Sequence, residues 1–579
     1  MLTAKTRHTI LSVTSFATLG FALSLPAEAI EFRSFDGSGN NITNPSYGAA
    51  ETELIRLLEP DYGDGISSPA GANRPNPRAI SNAISRQSSS VFNPINASDW
   101  LWQWGQFIDH DIDLTEPLTG GQFAPIIVPD NDPVFAPGSI IPFRRNEAAP
   151  GTGTSIDNPR QQVNALTSYI DASQVYGSDS VRANSLRTLE GGKLKTSDGN
   201  LLPFNIGGLP NANPPRIPGA PSLPDDQLFV AGDVRANEQI GLTAVHTLFV
   251  REHNRLADEI AAEPTTPQKA AEAGLTVDEY IYQTARRIVG AQIQVITYNE
   301  FLPLLLGDSA FGDYTGYNAN VDAGMSNEFA NAAYRFGHSL LSPELQRINN
   351  DGSSPGAIAL RDSFFNPQVI VDEGIDSLLL GLASQKAQNV DALLVEDVRS
   401  FLFAAGGGGL DLAAVNIQRG RDHGLPSYNA ARTALGLGVY NSFEEITSDA
   451  EIAQQFRFIY GVDEFGNDNI NDVDLWIGGI AEDHVNGGLV GELFYTIMAD
   501  QFGRSRDGDR FFYLNDEYLL SLKPEIGSTT LSEIIRRNSN ITSIQDNVFI
   551  VAKDVPEPSV VLALFTVGVL GAGLRRLRR

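Results

Sequence analysis

The chain contains no cysteine in 579 residues. That absence excludes disulfides, thiol catalysis, cysteine-ligated zinc and iron–sulfur clusters. Basic residues are in deficit, 41 against 70 acidic ones, and the net charge is −29. Such a surface repels phosphate backbones and anionic lipid, which argues against a nucleic-acid partner. Histidine is scarce: seven residues, namely His8, His110, His246, His253, His338, His423 and His484. Without thiolates, a redox metal must be held by one of these, by oxygen ligands or by methionine. Strand-like alternation is rare and no internal repeat is visible. At 42% hydrophobic residues the chain has ample apolar surface for a large core, so it is neither disordered nor a small stapled scaffold.

Both ends carry address-like segments. Residues 1–29 read as a secretory signal: Lys5 and Arg7 precede an apolar run from Ile10 to Leu25, and Ala27-Glu28-Ala29 forms a cleavage site. The other end, 555–579, reads Val555-Pro556-Glu557-Pro558, an apolar run from Val560 to Leu574, and a five-residue arginine-rich terminus. That run is short for a full membrane span. The arrangement resembles the PEP-CTERM sorting tail of Gram-negative bacteria. The resemblance implies recognition by an exosortase, removal of the tail and export to the envelope or beyond. The alternative is a C-terminal membrane anchor with its arginines inside.

Between the ends, residues 31–95 and 117–160 are rich in Pro, Gly, Asn and Ser and read as loops. Helical spacing dominates the rest. Ser98 is a suitable cap for a helix from Trp100 to Asp113. Apolar positions 242, 245, 249, 256 and 260 predict a second helix. Thr276-x-x-Glu279 is a capping box for a helix running to Leu302. Residues 326–341, 376–405 and 485–503 read as helical too, and Gly406–Gly409 as a loop. The expectation is a mainly α fold: one large helical domain over 31–550 with long Pro/Gly-rich loops and few short strands.

The most informative stretch is Trp104-Gly105-Gln106-Phe107-Ile108-Asp109-His110-Asp111. On a helix, Gln106, Asp109 and His110 share a face by i, i+3 and i+4 spacing, and Asp111 points about 100° further round. The neighbouring Trp100, Trp104, Phe107 and Ile108 imply burial, so this polar face needs something to bind.

This string resembles the distal-haem helix of the animal haem peroxidase (peroxidase–cyclooxygenase) superfamily. Further similar motifs follow in that family's order. Leu166 to Gly177 resembles its calcium loop. Arg235-Ala236-Asn237-Glu238 and Arg251 to Leu256 resemble its distal-arginine segment and the helix behind it. Tyr334-Arg335-Phe336-Gly337-His338 resembles its proximal-histidine motif, and Asn416 to Gly424 a further signature. The resemblance implies an exported enzyme that uses hydrogen peroxide to oxidise halides, thiocyanate or small aromatic donors. His338 would be the proximal ligand of a haem b iron, with Asn416 on its other nitrogen. His110 would be the distal acid–base, Arg235 the stabiliser of developing charge and Gln106 the holder of a distal water or halide. Arg335 and Arg419 would meet haem propionates. Asp109 and Glu238 would form ester links to the haem, and Gln239 cannot add the sulfonium link that a methionine there would make. Asp111, Thr167, Tyr169 (through its carbonyl), Asp171 and Ser173 would bind calcium, the alternate positions lying on one side of an extended loop. His246 and His253 are expected to pack along their helix, His423 has no assigned role, and His484 is expected in an exposed acidic loop. Two rivals remain: a fatty-acid dioxygenase of the same superfamily, whose radical tyrosine would fall at Arg335 rather than Tyr334, and a non-enzymatic adhesion or matrix protein with this fold.

Overall fold

Helix Trp100–Ile112 is buried on nearly every side, its polar Gln103, His110 and Asp111 included. The N-cap is Asp99, which makes no side-chain cap bond, rather than the expected Ser98; Ser98, one residue earlier, still accepts from Trp100 N through Oγ at 3.3 Å. Helix Ile240–Ala262 lies alongside, its Phe249 ring stacked on Phe107 with centroids 5.2 Å apart. Trp104 donates its indole N–H to Thr297 Oγ1 at 3.2 Å, tying the same helix to the end of Val277–Ile296. Thr276 caps that helix by accepting from Glu279 N, but the Glu279 carboxylate accepts from Gln283 and Arg187 instead of returning to Thr276, so one half of the expected capping box forms. Beyond Ile296 the chain makes one π turn, Thr297–Phe301, before the short helix Leu302–Leu306.

This computed structural model describes residues 30–115, 122–214, 221–403 and 409–552. The expected signal at 1–29, the tail at 555–579 and most of the four-glycine loop lie outside them. From Phe32 onwards the described chain packs around one dominant core. Among the described residues strands are confined to three two-residue antiparallel pairs: Thr52–Glu53 with Val163–Asn164, Ile126–Ile127 with Ile140–Ile141, and Glu344–Leu345 with Ile358–Ala359. The mainly α expectation holds. Among the described residues no helix is long and apolar enough to cross a membrane.

Several boundaries differ from the sequence reading. The 31–95 loop contains helix Pro77–Ile84, started by Pro at its first turn and capped by the Asn76 side chain. The segment 326–341 is not one helix. It breaks at Ala332 (φ −140°, ψ −71°) into helix Asn327–Asn331 and the 3-10 turn Ala333–His338. The break lets Phe329 and Tyr334 stack at 4.6 Å. Five residues apart on a straight helix they would diverge by roughly 140°. The Arg335 guanidinium takes up the Ala330 carbonyl at 3.1 Å, so the break leaves that group satisfied. The 376–405 stretch is helical only over Asp376–Ser384 and Glu396–Arg399, because the residues between bridge to 86–98 through Lys386–Ser98, Gln388–Phe92 and Leu394–Arg86. The last predicted helix begins only at Glu492, after a turn with Asn486 at φ +56°, and runs to Asp507.

Candidate active site

A cavity of about 340 Å³ lies beside helix Trp100–Ile112. It gathers side chains from four distant segments: Gln106, Asp109 and His110; Arg235 and Glu238; Arg335 and His338; and Arg419. Asn416 stands behind the wall and meets His338 Nδ1 through its amide at 2.8 Å. Apolar residues, including Leu341, Leu360, Phe364 and Val415, make up much of the remaining lining. A cavity of this size and mixture suits a largely apolar ligand with a few anionic groups.

His110 is buried at the end of its helix. Burial, then the nearby Arg235 charge, holds its pKa well below the usual range, so the imidazole is neutral. Its Nδ1 faces Asp233 Oδ1 at 3.5 Å, and its Nε2 lies 3.8 Å from Glu238 Oε2. An Nδ1–H turned towards Asp233 leaves Nε2 bare as a proton acceptor on the Glu238 side. Burial raises the Glu238 pKa to about 7 and raises that of Asp109 as well.

Arg235 is clamped. Its Nε and Nη2 donate to the two oxygens of Asp233, each at 2.9 Å, and Nη2 also reaches the Asp113 carbonyl at 2.9 Å. Asp233 is buried, yet the Arg235 charge keeps it ionised and well below the ordinary carboxylate range. The sequence reading missed Asp233. Its signal was available: an acidic residue two before the arginine, beside Gly232, whose added Cβ would stand 2.3 Å from the Ser173 carbonyl.

His338 ends the 3-10 turn. Burial, aided by Arg335, lowers its pKa to about 3, so its lone pair is available for a metal. Arg335 donates to Ala330 O and, at longer range, to the amide oxygens of Asn416 and Asn331, with no carboxylate among these partners. Arg419 donates to Asp422 and to the Arg144 carbonyl, lies over the Phe143 ring at 4.2 Å, and has its pKa lowered by burial to about 10. Two cations so placed favour an anion in the cavity.

Of the four candidate ligands in the 167–173 segment, Thr167, Asp171 and Ser173 come together with Asp111, but not along an extended run. Residues 165–171 bend, Ala172 takes φ +68°, and Ser173 begins the short helix Ser173–Tyr176. The backbone turns so that the N–H groups of Asp171, Ala172 and Ser173 all point to the Asp111 carboxylate. The Thr167 hydroxyl and one Asp171 oxygen are buried without a partner. Burial and then the Asp171 charge raise the Asp111 pKa well above its usual value. Orphaned oxygens beside two crowded carboxylates fit a hard cation. The Tyr169 hydroxyl is committed to Tyr47 O at 2.7 Å, which leaves only its carbonyl. Among the described residues no three His, Asp or Glu side chains cluster as a metal site; this candidate has two carboxylates, with hydroxyls and carbonyls for the rest.

The other histidines behave differently from one another. His246 and His253 are buried in their helix; His246 packs edge-on to Phe107, and His253 bonds Tyr176 and Gly192. His423 is buried with Nδ1 against Asn327 Oδ1 at 2.8 Å. His484, expected to be exposed, is half-buried and bonded to the Val390 carbonyl at 2.7 Å.

Residues 32–549 match the family described as animal haem peroxidase, and residues 554–579 match the PEP-CTERM protein-sorting motif. The chain is 38% identical over 555 residues to peroxinectin A of Dictyostelium discoideum, covering 93% of this chain and 99% of that protein. It is 36% identical to peroxidasin of Drosophila melanogaster, covering 90% of this chain but only 36% of that longer protein. The solved structure of peroxidase A from Dictyostelium discoideum superposes with a TM-score of 0.80 at 37% identity, covering 90% of this chain and all of that one. A fatty acid alpha-dioxygenase of Arabidopsis thaliana gives 0.72 at 21% identity, covering 91% and 84%, a likeness of fold alone.

Proposed function

The chain belongs to the animal haem peroxidase family and is a haem-dependent peroxidase, and from that premise we propose that it is an exported enzyme using hydrogen peroxide to oxidise halides, thiocyanate or small aromatic donors. The observation that carries this reading is the convergence of His110, Arg235 and His338 on one cavity.

His338 would hold haem b through Nε2. In this structure the Asn416 amide presents Nδ2 to His338 Nδ1 and its oxygen to Arg335; with the Nε2 lone pair given to iron and Nδ1 protonated, the amide would flip, giving up the Arg335 contact, to accept that proton and raise ligand basicity. Arg335 and Arg419 would pair with the propionates. Bound haem supplies the electrons that reduce peroxide. The protein's part is proton movement and charge stabilisation. His110 Nε2 takes a proton from one peroxide oxygen and returns it to the other, so that water is the leaving group. Arg235, fixed by Asp233, offers N–H donors to the negative charge that develops. Calcium held by Asp111, Thr167, Tyr169, Asp171 and Ser173 would brace the helix that carries His110. Asp109 and Glu238 line the cavity and would be the carboxyls that form ester links to bound haem, each link exchanging a carboxyl O–H and a methyl C–H for a C–O bond while hydrogen peroxide is reduced to water.

The sorting motif supports export to the envelope or exterior of a Gram-negative-type bacterium, with an exosortase-like enzyme as processing partner. Membrane contact would then be transient or made through the tail. A dioxygenase reading has less support. Tyr334 lines the cavity, but its hydroxyl is buried without a partner to take its proton, and burial raises its pKa far above normal. The deciding experiment is the absorption spectrum of the purified protein before and after hydrogen peroxide, with iodide, bromide or thiocyanate added and a fatty acid in parallel. Peroxide-dependent turnover of the anions supports the reading. Oxygen uptake with the fatty acid and none with peroxide and anion would overturn it.

A further inference from the structure

Gln239 forms a relay that reaches the cavity. Its Oε1 accepts from the backbone N–H of Gly241 at 2.6 Å. A backbone N–H can only donate, so this contact fixes which end of the Gln239 amide is oxygen. Its Nε2 must therefore face the other way, where it lies 2.6 Å from Gln103 Oε1 and 3.1 Å from Gln106 Oε1. Both neighbours must present oxygen to it. Gln103 is wholly buried and its own Nε2 has no partner, so it has no second donor contact to offset a flip. Gln106 lines the cavity, and with its oxygen held by Gln239 its Nε2 is left for the cavity side. The relay is tightly packed at its origin: a Cβ added to Gly241 would stand 2.5 Å from Gln103 Oε1 and 2.9 Å from Gln239 Oε1.

We propose that Gln239 is a positioning residue that locks the Gln106 amide with its N–H groups towards the cavity, and so sets the affinity for anionic electron donors. An amide free to rotate would present its oxygen part of the time and repel an anion. A locked one always presents a donor, and hydrogen bonds to charged acceptors are the stronger kind. The proposal rests on the peroxidase reading of the cavity.

Two substitutions separate orientation from charge and from capping. Gln239→Glu keeps an oxygen for Gly241 N–H but has no donor for Gln106, so the Gln106 amide turns its N–H groups inward to the carboxylate. Gln239→Leu is neutral and removes both contacts. The haem-loaded full chain is titrated with thiocyanate by calorimetry, and KM values for thiocyanate and hydrogen peroxide are measured separately. Both variants are expected to weaken thiocyanate binding about tenfold or more, with the thiocyanate KM rising by a larger factor than the peroxide KM. Wild-type affinity in either variant, weakening in Gln239→Glu alone, or equal rises in both KM values would overturn the proposal. A wild-type protein that fails to react with peroxide would instead sink the peroxidase reading, and the proposal with it.

Discussion

Asp233 holds Arg235 through two parallel hydrogen bonds of 2.9 Å while its Oδ1 stands 3.5 Å from His110 Nδ1. One carboxylate thus aims the arginine and stands on the Nδ1 side of the imidazole, whose Nδ1 is buried and makes no hydrogen bond in this structure. Asp233→Asn should retain haem but slow the reaction with hydrogen peroxide by about 10- to 100-fold in stopped-flow measurements, short of the ~10²–10⁴-fold expected for His110→Ala. An unchanged rate would remove Asp233 from the mechanism. Because the change leaves a buried guanidinium without its main partner, stability in denaturant should fall by about 3 kcal/mol.

His338→Ala should lose stable haem retention, since it deletes the sole axial ligand proposed. Haem content per chain, measured from the absorption ratio after desalting, checks this. Full retention with a normal spectrum would move the ligand elsewhere.

Elemental analysis of purified protein should find about one calcium per chain, by likeness to the family site, and Asp171→Ala should abolish it. Chelation should lower both thermal stability and peroxide reactivity, because Asp111 adjoins His110 in sequence and binds the Asp171–Ser173 backbone. Active protein free of calcium would contradict the assignment.

After peroxide treatment, acid–organic extraction should leave haem on the protein, and peptide mass spectrometry should place it on Asp109 and Glu238. Glu238→Gln should remove one link. Gln239, bonded to Gln103 and carrying no sulfur, cannot add a sulfonium link, so at most two links are expected, without the electron withdrawal from the haem that a sulfonium would add. Iodide, thiocyanate and bromide should therefore be oxidised well and chloride poorly. Efficient chloride oxidation would refute that step.

Glu300, far along the chain from the cavity motifs, gives a pH test. Burial raises its pKa to about 7, despite the hydrogen bond from Leu531 N. Its folded pKa is above its unfolded one, so its contribution is fully present below about pH 4 and is lost as pH rises through 7. Glu300→Gln should stabilise the protein at pH 8 by on the order of 1 kcal/mol and have little effect at pH 4.5, as read from urea unfolding at the two values. An equal effect at both would show that Glu300 does not titrate in this range.

The sequence by itself determined the helix Trp100–Ile112, the Thr276 cap and the choice of His110, Arg235 and His338 as site candidates, because these depend on short spacings and on residue types within one or two turns. It could not determine where the 326–341 segment breaks, since that depends on Phe329 stacking on Tyr334 and on Arg335 taking up a carbonyl. Nor could it reveal that 386–394 would bridge to 86–98 instead of staying helical. The same limit applies at the site. The approach of Asp233 to His110, the Gln239 relay to Gln106 and the Arg335 contact with Asn416 are facts about which side chains face one another from separate segments, the last two 133 and 81 residues apart. Local pattern selects the chemical groups. Only tertiary packing decides which way each is turned, because a buried donor or acceptor takes the partner that the fold brings within reach.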